Sequence, residues 1–118
     1  MDTDYGRFLP LAPATLHILL SLAREDLHGY GIMQEVARQS DGKYKLGPGT
    51  LYDNLQRLMD QGLVDEAKRR PAGEDPRRRY YRLTPAGRGV LASEIARLEE
   101  VVHEAKLRLR LPETRRAT

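Results

Sequence analysis

The sequence predicts a mainly α (α+β) fold of three short helices, a β-hairpin and one long closing helix. Three observations carry that expectation. Apolar residues recur at helical spacing in three short stretches before Gly62. Two strand-like segments then flank a run of turn residues over 70–76. Finally, an apolar seam from Leu91 to Leu109 steps by four and three without a break.

The first helix opens at Leu11-Ala12-Pro13, because proline suits the first helical turn. Leu16, Leu19, Leu20 and Ala23 follow on one side, and the helix is expected to stop over 24–26. A second helix is expected over 29–39, with Tyr30, Met33, Val36 and Ala37 as its apolar face. Ser40-Asp41-Gly42 reads as a turn. The third helix is the best defined. Gly47-Pro48 starts it, Leu51, Leu55, Leu58 and Met59 form its stripe, and Gly62 stands where a left-handed terminator belongs.

Leu63-Val64 begins one strand and Arg79-Tyr80-Tyr81-Arg82-Leu83 forms the other, with Tyr81 and Leu83 on a shared face. A hairpin directly after a three-helix unit is the layout of a winged helix-turn-helix domain. Thr84 and Pro85 then cap a long helix that Pro112 should end. The expected organisation is a winged-helix domain over 10–84, a dimerisation helix over 85–111, and flexible ends over 1–9 and 112–118.

The long helix would span roughly 39 Å, more than a compact domain of this size needs. Its seam of Leu91, Ile95, Leu98, Val102, Ala105 and Leu109 calls for a partner, and a second copy of the chain is the simplest one. Val90, Val101 and Leu107 lie off the seam and widen its apolar face. Glu94, Glu99, Glu100 and Glu104 read as its solvated flank.

The chain has 118 residues and a net charge of +3, and the distribution of that charge says more than the total. Residues 1–64 carry a balance of −2, residues 65–82 one of +3, and residues 83–118 one of +2. The surplus falls on the arms of the expected wing, which suggests a local contact with a polyanion. No cysteine is present, so disulfides and thiol chemistry are excluded, and a cytoplasmic address fits. No apolar run reaches the length of a membrane span, and residues 1–7 are short and acidic, unlike a signal peptide. His17, His28 and His103 are too far apart for a metal-spaced pair, and no phosphate-cradling glycine loop follows a strand. No catalytic residue, metal site or cofactor is therefore expected.

With the leucine stripe of the third helix inward, Gly49, Thr50, Asp53, Gln56, Arg57 and Asp60 point outward. Double-stranded DNA is the partner that this arrangement suits. Pro48, Gly49 and Thr50 would lead into the major groove, while Gln56 and Arg57 could reach base edges or backbone. Tyr30 and Tyr52 suit phosphate contact or core packing equally. Lys43 and Lys45 suit backbone neutralisation. On the wing, Arg77, Arg78 and Arg79 face Lys68, Arg69 and Arg70. Two other classes stand against this reading. An enzyme would need separated residues to converge. A protein-interaction module of the same fold would account for Asp53 and Asp60 on the outward face.

Four blocks in order carry a family resemblance: Leu27-His28-Gly29-Tyr30-Gly31-Ile32, Leu46-Gly47-Pro48-Gly49-Thr50-Leu51-Tyr52, residues 55–64, and Arg79-Tyr80-Tyr81-Arg82-Leu83-Thr84-Pro85-Ala86-Gly87. Together they resemble the PadR family of transcriptional regulators, in its short subgroup with a single C-terminal dimerisation helix. The resemblance implies a homodimer that binds a pseudo-palindromic operator and usually represses nearby genes. It also implies that a small-molecule effector releases the DNA in some members. Gly47 departs from the Ser or Thr usual there, so a side-chain cap or phosphate contact is lost. Certain members line a central cavity with tryptophans, and this chain has no Trp and one Phe, which argues against an aromatic pocket of that kind.

Overall fold

The computed structural model describes residues 4–68, 75 and 77–113. In chain order it contains a 3-10 turn (Gly6–Phe8), α1 (Pro13–Ser21), β1 (Leu27–His28), α2 (Gly29–Gln39), α3 (Pro48–Asp60), β2 (Val64–Glu66), β3 (Tyr80–Leu83) and α4 (Pro85–Leu109). The architecture is the mainly helical winged-helix arrangement that the sequence predicts. The expected hairpin turn, with Arg69 and Arg70, falls largely outside the described residues, as does the tail beyond Glu113.

Each helix starts and stops for identifiable reasons. Pro13, Pro48 and Pro85 occupy first-turn positions, where a missing amide costs nothing. α1 ends at Ser21, short of the expected 24–26, because the Leu22 and Ala23 amides turn back onto the Ile18, Leu19 and Leu20 carbonyls in a tightened last turn. α3 ends as expected. Gly62 adopts φ 75°, its amide bonds the Met59 carbonyl, and the Leu63 amide reaches the Leu58 carbonyl. Leu63 is thereby folded back into the core.

The sheet is antiparallel with strand order β1-β3-β2. Val64 pairs with Leu83 and Glu66 with Tyr81, while Leu27 pairs with Tyr81 and His28 with Tyr80. β1 was not foreseen as a strand. It makes β3 a central strand, and this explains why Tyr80, Tyr81 and Leu83 are all buried.

The core joins Ile18, Leu19 and Leu22 of α1, Ile32 and Val36 of α2, and Leu51, Leu55 and Leu58 of α3 to Leu63, Tyr81, Val90 and Leu91. α4 crosses close to the start of β2. A Cβ at Gly87 would run into the Leu63 carbonyl, so only glycine fits there. Thr84 holds the same corner. Its hydroxyl accepts from the Gly87 amide at 3.0 Å and donates to the Gly62 carbonyl at 2.7 Å.

The structure corrects the expected seam at two places. Leu91 belongs to the core of its own chain and is buried there, so it is not available to a partner. Glu94 is not a solvated flank residue. It is 1% exposed and receives hydrogen bonds from the Leu11 amide and the Arg97 guanidinium. The seam open to a partner therefore begins at Ile95. Ahead of α1 the 3-10 turn packs against α4, and Tyr5 covers Gly89.

Candidate nucleic-acid interface

α3 is held from below and bare above. Leu51, Leu55 and Leu58 anchor it, and buried Asn54 accepts from the Thr15 hydroxyl at 2.7 Å and donates to the Thr50 carbonyl at 2.8 Å. Gly49, Thr50, Asp53, Gln56, Arg57 and Asp60 are exposed, as the helical wheel predicts, and Tyr52 is exposed beside them. The first intrahelical bond runs from the Leu51 amide to the Gly47 carbonyl, so the Gly49 and Thr50 amides precede it. A Cβ at Gly47 or Gly49 would meet nothing within 4 Å. These glycines thus keep the tip of the helix slim without relieving any clash inside the chain.

Beside this tip, an open cleft of about 450 Å³ is lined by His28, Tyr30, Tyr52, Arg77, Arg78, Arg79 and Tyr81. Five of the sequence-derived candidates meet here. Tyr30 is 61% exposed and Tyr52 49%, so neither is a core tyrosine. The Tyr52 hydroxyl lies so close to Gly29 that a Cβ there would collide with it, which fixes the start of α2 against α3. Arg77 pairs with Asp75 at 3.1 Å, Arg79 with Glu66 at 3.8 Å, and Arg82 with Asp65 at 3.6 Å. Such exposed pairs are weak and readily exchanged for another anion.

Two members of the cleft were absent from the sequence candidates. His28 caps α2 by accepting the Gly31 amide at Nδ1, its ring edge meets Tyr80, and its Nε2 lies 3.1 Å from an Arg78 nitrogen. A neutral imidazole accepts at one nitrogen only, so the cap and the arginine contact compete. Tyr81 is buried at the floor. Burial and then the neighbouring Tyr52 push its hydroxyl pKa up, with Arg79 partly offsetting them, so the phenol stays a neutral donor. The pairing of His28-Leu27 with Tyr80-Tyr81 is what assembles this floor.

The remaining candidates lie apart from the cleft. Lys43 and Lys45 are exposed on the turn entering α3, where the Ser40 hydroxyl accepts the Tyr44 amide. Gln56 donates to Asp60 further along the helix. Arg57 lines a different groove, with Arg7, Phe8, Leu11 and Asn54. Among the described residues, no cluster of His, Cys, Asp or Glu could hold a metal, and no helix is long and apolar enough to cross a membrane.

Residues 18–93 match the family described as the transcriptional regulator PadR-like family. Over 93 residues the chain is 41% identical to Transcriptional regulator Rv3488 of Mycobacterium tuberculosis, spanning 79% of this chain and 82% of that protein. A transcriptional regulator from Clostridium thermocellum superposes with a TM-score of 0.67 at 26% identity, over 90% of this chain and 95% of that one. Bacillus subtilis PadR in complex with operator DNA gives a TM-score of 0.61 at 21% identity, over 73% of this chain and 48% of that one, a likeness of fold.

Proposed function

This chain belongs to the PadR-like family of transcriptional regulators, whose members bind DNA and are not enzymes, and from that premise we propose that it is a homodimeric repressor seated on a pseudo-palindromic operator. The observation that carries this reading is the convergence of Arg77, Arg78 and Arg79 with Tyr30 and Tyr52 in one cleft beside the bare tip of α3. In this reading Pro48, Gly49 and Thr50 enter the major groove, and Gln56 and Arg57 follow along the helix. The cleft and Lys43 and Lys45 grip the backbone. The outer part of α4 pairs with its copy. Bacillus subtilis PadR, which shares the fold, is in complex with operator DNA, and this supports DNA as the partner. The division at Thr84 into a DNA-binding unit and a dimerisation helix belongs to the same proposal, as does a cytoplasmic site of action, where a bacterial chromosome lies. Release by a small-molecule effector rests on the family resemblance alone.

The test is the salt dependence of binding to DNA selected from a random pool. Phosphate contacts release counterions, so affinity falls with a slope of roughly −0.9 per neutralised phosphate. Replacing Arg77 and Arg78 by Ala is expected to weaken binding to all sequences and to flatten that slope by about 2. An unchanged affinity and slope would remove the wing from the interface.

A further inference from the structure

Glu94 is a buried carboxylate that DNA contact does not use, and it sits where two halves of the molecule join. Its Oε2 receives the Leu11 amide at 2.9 Å from a segment 83 residues away, and Arg97 of the next helical turn closes over it. One and a half turns earlier on α4, the Tyr5 ring rests directly on Gly89. The segment preceding α1 is thus fastened to α4 at two places. From Leu11 the chain enters α1, whose Thr15 bonds Asn54 of α3. A continuous set of directional contacts therefore runs from α4 to the recognition helix.

Burying a charge is a poor way to gain stability, because desolvation offsets most of the attraction. What a carboxylate gives that Val90 and Leu91 beside it cannot is direction. Apolar contacts tolerate sliding, whereas a carboxylate shared by an amide and a guanidinium does not. Among the described residues α4 has no buried residue beyond Glu94, so Glu94 is the last buried anchor along the helix. From Glu94 to Leu109 the helix runs about 22 Å, and a tilt of about 10° would move its tip by about 4 Å. That exceeds the roughly 3.4 Å between successive base pairs.

We propose that the Glu94 latch, with Tyr5 seated on Gly89, sets the angle of α4 to the winged helix and thereby fixes the half-site spacing the protein accepts. The inference rests on the homodimeric reading above. Glu94 is a positioning residue in this scheme and touches no DNA.

The experiment selects bound sequences from random double-stranded DNA with the wild-type protein, Glu94→Ala and Gly89→Ala in parallel. Sedimentation and thermal melting check that each is a folded dimer. Alanine at 89 favours the helix but displaces the Tyr5 ring, so it disturbs the latch by a second route. The expected result is one half-site motif common to all three proteins. The spacing is single in the wild type and moved by about one base pair or more, or spread over several values, in the variants. An unchanged spacing in Glu94→Ala overturns the inference, and where that variant does not fold the same result in Gly89→Ala does so. Failure of the wild type to select paired half-sites would instead overturn the dimeric reading, and the inference with it.

Discussion

Glu94 is also a residue whose ionisation the fold controls. The Arg97 hydrogen bonds lower its pKa from the ordinary 4.5, burial works in the opposite direction, and the Leu11 amide adds to the lowering. A carboxylate depressed in the folded state contributes stability that is fully present above its unfolded pKa. That contribution is lost as pH falls through the lower folded value. Glu94→Gln keeps an acceptor for the Leu11 amide but has no charge to titrate. Its deficit relative to the wild type should therefore be largest near about pH 7 and should shrink on going to about pH 3. Urea unfolding of both proteins across that range measures it, and a deficit that stays constant with pH would mean that the Glu94 pKa is the same in the folded and the unfolded chain. The charge pattern places Glu94 among solvated flank residues with Glu99, Glu100 and Glu104, and those three are indeed exposed. The amide it receives lies at Leu11, and no local pattern reports a contact across that separation.

At the scale of elements, legibility follows the range of the cause. α3 and its terminator at Gly62 were readable because periodicity, a leading proline and a left-handed glycine are all local signals. β1 was not, since two residues become a strand only when β3 arrives beside them. The same pairing brings His28 and Tyr81 into the cleft, so its exposed arginines and tyrosines were legible while its floor was not. Thr84 joins these elements through one hydroxyl that caps α4 and bonds the end of α3. Removing it in Thr84→Ala should cost about 1–2 kcal/mol, the upper part of the range for a lost helix cap. Thr84→Ser, which keeps the hydroxyl, should recover most of the loss. The urea midpoint measures both, and equal midpoints for Ala and Ser would show that the hydroxyl contributes nothing.

On the scale of the whole molecule, the described residues span 53 × 37 × 31 Å, and α4 is the longest element among them. The heptad seam read from the sequence divides in the structure. Leu91 packs into the core, whereas Ile95 is 38% exposed and Leu109 68%. A substitution should therefore have opposite consequences on the two sides of that boundary. Leu91→Glu places a charge in the core of each chain and should unfold it. In the proposed dimer Ile95→Glu places charges near the axis between two helices, where like charges face each other and apolar contact is lost. It should leave the single chain folded and split the dimer. Sedimentation equilibrium combined with thermal melting separates the cases. The expected outcome for Ile95→Glu is a folded monomer that also loses affinity for paired half-sites, because only a dimer can engage both at once. A variant that still sediments as a dimer would place the interface elsewhere on the molecule, and one that unfolds would show that the core extends past Glu94.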